Sequence, residues 1–529
     1  MSKMLNGSSL LMGDSNIPGV QIHKEVREQL DTIFRECREF GMDFYPTIVE
    51  FVRYDEISEL ASYGGFPVRY PHWRFGMEYE GMSLGYEFGQ HRISEMVVNT
   101  SPCVIYCLDS NSLVDNIDVI FHALGHNHFF KNNVFFAKTH PEGVMDKLAN
   151  HGNRIRKYMA RWGKESVTAF IDHCLSLETL IDPAEAWTRK EITEPIIRDE
   201  RTYQFVHRTK PSHDYMDEWV NHPDRLAEQQ KHIDRADMVQ QLGLFTKPEK
   251  DVLRYLRDNA PLRPWQQDII SMLYEEALYF APQRATKVAN EGFASYIDHH
   301  FMCRRAMSGL GQPTPDAGII EYARHKMLVL GGKYSQNPYK LGFELLLDIE
   351  DRWNKGRFGI EYDDCKDMRE KERWDRKLGL GKDKVFDVIK HYNDAMLIHE
   401  FFTPEFCQRM EYFTAKKFNS GETKITGRDY QKIKKHLIQR HLNGGLPDIR
   451  LTDPNHRGRG WFLLEHFTDG RVLYDPYVKD VMNSIYRLWK NTVVLQTLDR
   501  EGAQVVYLCD SPSNVQYMTR AQYESEYLK

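Results

Sequence analysis

The segment Asp115–Asn133 reads DNIDVIFHALGHNHFFKNN. Taken back to Leu113, its apolar residues Leu113, Ile117, Ile120, Phe121 and Leu124 recur at helical spacing as one stripe, and His122 and His126 stand one turn apart on a neighbouring face. Ser112, three residues before Asp115, is a capping signal that starts the helix just upstream, while Gly125 and Asn127 predict a loosened far end. Two imidazoles at this spacing on one helix can hold a metal ion. In the zinc-peptidase pattern His-Glu-x-x-His the residue after the first histidine is the general base, and here it is Ala123. The ligands are present without the usual water-activating carboxylate. Because 22 histidines spread over 529 residues give about one such pair by chance, two satisfied histidines near a core is the competing reading.

A second stretch, Ala289–Arg304 (ANEGFASYIDHHFMCR), puts Glu291, Ser295, Asp298 and His299 on a common side of a helix. Two histidines from one helix and a carboxylate from another build a tetrahedral site with an open position. The expected metal set is therefore His122, His126 and Glu291, with Asp298 and His299 as further donors. The ion expected is divalent, zinc first, with iron or manganese as alternatives because two histidines and a carboxylate also suit non-haem iron. The missing base must come from elsewhere, and Glu95, Asp118, His128 and Asp298 are the candidates. Glu95 otherwise reads as a solvated strand residue. Asp118, one turn before His122, either orients that imidazole through its free ring nitrogen or lies exposed.

A net charge of -6 on 529 residues gives no reason to expect nucleic acid or an anionic membrane as partner. The eight cysteines are dispersed, which fits a reducing compartment better than a disulfide framework. No apolar run reaches signal-peptide or membrane-span length, so a cytoplasmic protein without membrane insertion is expected. Glycine-rich nucleotide-binding fingerprints are also missing.

Three regions are expected: a flexible tail over 1–19, a mainly helical core over 20–420 with a charged excursion at about 190–238, and a C-terminal α+β module and tail over 421–529. Val20–Phe40 reads as an amphipathic helix, Tyr45–Val52 as a short strand, and Glu95–Leu108 as an apolar strand broken at Pro102 that feeds the histidine helix. Trp265–Phe280 reads as a helix stopped by Pro282. In the module, Asp469-Gly470 signals a hairpin between Gly460–His466 and Val472–Tyr474, and Thr492–Leu498 pairs with Gln504–Cys509. The fold class expected is α+β, mainly α: a large helical, metallohydrolase-like core with a small C-terminal α+β module.

The string HALGHNHFFKNN, with YPHWRFG at Tyr70–Gly76 before it and EEALYFAPQRATKVANEGFASY at Glu275–Tyr296 after it, resembles the stage V sporulation protein R (SpoVR) family. NPYKLGFELLLDIEDRWNKGRFG from Asn337, RWDRKLGLG from Arg373 and FTPEFC from Phe402 extend the resemblance, which covers roughly residues 20 to 510. It implies a cytoplasmic bacterial protein associated with spore cortex formation in sporulating species and with stationary-phase or stress responses elsewhere. It also implies a PrkA-type kinase homologue and a von Willebrand-like protein as partners. Members carry histidine seven residues after the glutamate of the NEG(W/F)A string; this chain has Asp298 there, then His299. Two function classes follow: a metal-dependent hydrolase, or a non-catalytic regulatory scaffold that keeps a structural or vestigial metal site.

Overall fold

The computed structural model describes residues 18–87, 95–184, 248–307, 315–331, 337–417 and 423–527. The expected tail and the charged excursion at 190–238 lie almost wholly outside these residues. By internal contacts the chain divides into two units, Met1–Lys164 with Tyr279–Gly445, and Glu165–Leu278 with Leu446–Lys529.

In the first unit, α1 (Pro18–Glu39) leads to β1 (Thr47–Val52), α2 (Tyr54–Ser62) and α3 (Trp73–Glu87). Strands β2 (Glu95–Val98) and β3 (Cys103–Leu108) follow, then α4 (Leu113–Asn132). The three strands form one sheet in the order β1-β3-β2, with β1 parallel and β2 antiparallel to β3. Antiparallel pairing sets Glu95 opposite Cys107, beside the end of β3 from which the chain enters α4. The sheet thus delivers a carboxylate to the helix that carries the histidines.

Ser112 caps α4 as the sequence predicts, its side chain accepting the Asp115 amide at 3.1 Å. The far end is not loosened. Gly125 and Asn127 are interior residues of a helix that continues to Asn132, and each has a packing reason to be there. A Cβ on Gly125 would lie 2.7 Å from the Ala294 backbone, so glycine lets a second helix approach. Asn127 instead bonds the chain before β1, accepting the Tyr45 amide at 2.9 Å and donating to the Tyr45 carbonyl at 3.1 Å.

Beyond α4 the described α-helices as far as Lys355 are α5 (Val144–Trp162), α6 (Lys164–Leu175), α7 (Val252–Asn259), α8 (Pro264–Ala285), α9 (Lys287–Met307), α10 (Pro315–Leu330) and α11 (Pro338–Lys355), and further helices follow. Pro282 does not stop α8. It sits in the last turn, where its missing N–H removes one bond and the chain still completes the helix to Ala285. Helix α9 is the hub, packing against both α4 and α11. At the α9–α11 crossing Gly292 faces Gly342, and a methyl on Gly342 would overlap the Val288 carbonyl oxygen. Phe121, Phe293, Phe301, Leu345 and Ile349 fill the core around these crossings.

In the second unit a five-stranded sheet has the order β10-β9-β8-β7-β6. Its strands are β6 (Ile449–His456), β7 (Trp461–His466), β8 (Val493–Leu498), β9 (Gln504–Ser511) and β10 (Asn514–Thr519), numbered after the small β4–β5 hairpin (Thr414–Lys417 and Thr423–Gly427) of the first unit. Only β7 and β8 are parallel, joined through the helix Asp475–Trp489. The β8–β9 pairing is the one expected. Asp469-Gly470 makes no hairpin, because the β6–β7 turn falls at Arg457–Gly460 and the chain after Gly470 enters that helix. The whole is mainly helical with small sheets and a β-containing C-terminal part.

Candidate metal centre

Helices α4 and α9 cross closely at Gly125 and Ala294, and that approach brings His122 and His126 against Glu291. Glu291 Oε2 lies 3.3 Å from His126 Nε2 and 3.7 Å from His122 Nε2. From β2, Glu95 Oε1 reaches to 3.5 Å from His122 Nε2. A ligand atom from each of Glu95, His122 and His126 falls within 4.8 Å of the other two. Two imidazoles and two carboxylates therefore converge on one buried point.

Both rings are fixed from behind. His122 Nδ1 donates to Asp298 Oδ2 at 2.9 Å, and the other Asp298 oxygen pairs with Lys326 from α10. His126 Nδ1 is 3.0 Å from Asn290 Oδ1. With each Nδ1 occupied, the Nε2 atoms turn towards the carboxylates, the arrangement by which outer partners fix tautomer and orientation of metal-binding histidines.

Electrostatics separate the two glutamates. Burial pushes the Glu95 carboxyl above its usual range, and the nearby histidines only partly oppose it. Burial acts the same way on Glu291, yet its contacts with His122 and His126 outweigh that and hold it below the carboxylate range. Burial pulls the His122 imidazolium down, but Glu95, Asp298 and Glu291 together hold it well above the ordinary histidine value. Glu291 Oε2 and Glu95 Oε2 are buried and make no hydrogen bond with the described residues. Such oxygens are costly without a partner, and a cation among them would supply one.

Two imidazole nitrogens with carboxylate oxygens close by suit a divalent ion. Of the residues expected at the site, His122, His126, Glu291 and Glu95 meet. Glu95 is not a solvated strand residue: its side chain is 22% exposed and faces His122. Asp298 is the partner of His122 Nδ1, the place expected for Asp118, and stands behind the ring instead of among the Nε2 atoms. Asp118 is buried at 2% exposure. His299 is turned about 80° around α9 from Glu291 by the helical period, so it bonds the Tyr322 hydroxyl of α10 at 2.6 Å. His128 falls on the far side of α4 from His126, its Nδ1 2.9 Å from both the amide nitrogen and the carbonyl oxygen of Asp43. Sequence reading missed Asn290, Lys326 and Tyr339. Asn290 stood next to Glu291 in one family-like string and Tyr339 within another, whereas nothing local marks Lys326.

A family model described as SpoVR like protein matches residues 21–446, and one described as SpoVR-like C-terminal domain matches residues 447–500. The chain belongs to the SpoVR-like family. A relative of this SpoVR-like chain is the "Uncharacterized protein YcgB" of Escherichia coli (strain K12), 25% identical over 494 residues that cover 90% of this chain and 92% of that protein. No solved structure matches the chain. Among the described residues of this SpoVR-like protein no helix is long and apolar enough to cross a membrane.

Proposed function

We propose that this SpoVR-like protein is a divalent-metal-dependent hydrolase that holds its ion, zinc in the first instance, on His122, His126 and Glu291. The carrying observation is that a buried Glu291 oxygen with no hydrogen-bond partner, with Glu95 Oε1 beside it, faces two imidazole Nε2 atoms whose Nδ1 atoms are already occupied. A bound divalent ion supplies Lewis acidity, lowering the pKa of water and polarising a carbonyl or phosphoryl oxygen. Glu95 takes the role of the carboxylate that position 123 lacks, accepting and returning the proton of the attacking water. Of the four candidate bases it alone is neither turned away, as His128 is, nor engaged behind His122, as Asp298 is, nor one turn back on α4, as Asp118 is.

Family membership supports carrying over a cytoplasmic setting, a role in spore cortex formation or in stationary-phase and stress responses, and a PrkA-type kinase homologue and a von Willebrand-like protein as partners. The scaffold reading keeps Ala123 in its favour. The deciding experiment is elemental analysis of protein purified without added metal, beside the His122→Ala, His126→Ala double variant. About one divalent ion per chain in the parent, lost in a variant with unchanged circular dichroism, is the expected result. A parent that takes up no ion even after equilibration with zinc, manganese or ferrous iron overturns the metal reading.

A further inference from the structure

Helix α9 starts at Lys287, one residue after α8 ends, and its first amides are buried with Val288 and Ala289. Such amides need an acceptor. The residue at the junction, Thr286, is of a capping type, but its hydroxyl turns back to α8 and donates to the Pro282 carbonyl at 2.7 Å. The acceptor comes from a distant segment instead. Asp394, wholly buried, accepts the Val288 amide on Oδ2 at 2.9 Å and the Ala289 amide on Oδ1 at 2.8 Å. His441 Nδ1 lies farther off, 3.7 Å from Oδ2. Asp394 opens the helix Asp394–Phe401, which Asn393 caps by accepting the Met396 amide, and which Leu397 and Ile398 anchor in the core.

The two amides that Asp394 holds directly precede Asn290 and Glu291. Asn290 Oδ1 stands behind the His126 ring, 3.0 Å from Nδ1, and Glu291 Oε2 stands in front of it, 3.3 Å from Nε2. One turn of α9 therefore supplies both an outer support and a proposed ligand. A carboxylate that spans two successive amides with separate oxygens fixes the rotation of that turn as well as its height, which one hydroxyl cannot do. Burying a carboxylate without exposure is costly unless hydrogen bonds offset it, and a threonine cap would satisfy one amide with no such cost. The arrangement serves a helix end that must not turn.

We propose that Asp394 is a positioning residue of the metal centre: through the Val288 and Ala289 amides it sets the turn of α9 that presents Asn290 to His126 and Glu291 to the ion. The inference rests on the metal reading above. The competing role is structural, in which Asp394 caps α9 and contributes stability alone. The two roles differ in what a folded variant loses.

The test titrates the full chain with Co(II), whose visible spectrum reports both ion binding and the arrangement of its donors. Asp394→Asn keeps the shape but replaces one of the two acceptors with a donor. In the folded variant, checked by circular dichroism, Co(II) affinity is expected to fall about tenfold or more and the visible bands to shift. The control is Ser112→Ala, which removes the cap of α4 two turns before His122 and should keep Co(II) affinity within about twofold. Unchanged affinity and bands in Asp394→Asn, with only the urea midpoint lowered, overturn the positioning role and leave the metal reading standing. An equal loss of affinity in Ser112→Ala overturns it too, since the loss of any cap would then suffice. Should Asp394→Asn not fold, Asp394→Ser, which keeps a neutral acceptor, is judged by the same outcomes. A parent chain that binds no Co(II) removes the metal reading and this inference together.

Discussion

Two faces of α4 carry the same residue type to opposite ends. On one, His122 and His126 meet Glu95 and Glu291 in a cluster of ionisable groups. On the other, His128 rests on the Asp43 backbone between the rings of Phe293 and Phe386. Burial is nearly equal on both. What differs is the company: carboxylates raise His122 well above the ordinary histidine value, whereas burial without a counter-charge in contact lowers His128 to about 4. A buried histidine is a structural filler or a ligand according to whether its surroundings demand a cation, not according to its depth.

The most damaging way to break this contrast is to part the helices that create it. Gly342→Ala forces a methyl onto the Val288 carbonyl and should cost on the order of 3 kcal/mol, with loss of metal uptake, read by urea unfolding and elemental analysis. The next test separates the faces by pH. His128 stays neutral down to about 4 in the folded chain but protonates near 6.5 once unfolded, so the unfolded chain binds that proton first. Its contribution, at most on the order of 3 kcal/mol, is present above 6.5 and is lost as pH falls from 6.5 towards 4. His128→Gln should flatten that window in urea midpoints measured across it. The raised His122 acts with the opposite sign in the ion-free chain, contributing stability below 6.5 that is lost as pH rises through its folded value.

A smaller effect sharpens the cluster side alone. Asp298→Asn leaves a side chain of the same shape but removes the charge behind His122, and metal affinity should fall between about tenfold and a hundredfold in competition titrations with a chromophoric chelator. An unchanged affinity would mean the His122 ring needs no support. Least of all, Ser112→Ala removes the α4 cap and should lower unfolding stability by about 1 kcal/mol, with equal consequence for both faces and therefore no change in relative metal affinity.

The local signals in the sequence were sufficient for α4, its Ser112 cap, the broken strand before it, the β8–β9 pair and the mainly helical class, because each depends on spacing and capping within one segment. Offsets also placed His122 with His126, and Glu291 with Asp298, on shared helix faces. The choice among neighbours belonged to the tertiary structure. His299 and Asp298 are adjacent in the chain, yet the angle at which α9 lies on α4 gives one to His122 and the other to Tyr322. Glu95 reads as an ordinary strand residue until the register with β3 sets it beside α4, and Lys326 and Tyr339 reach the cluster only through helix crossings. Periodicity fixes which residues share a face, while which face meets which is decided by close packing between segments far apart in sequence, at contacts as tight as Gly125 on Ala294 and Gly292 on Gly342.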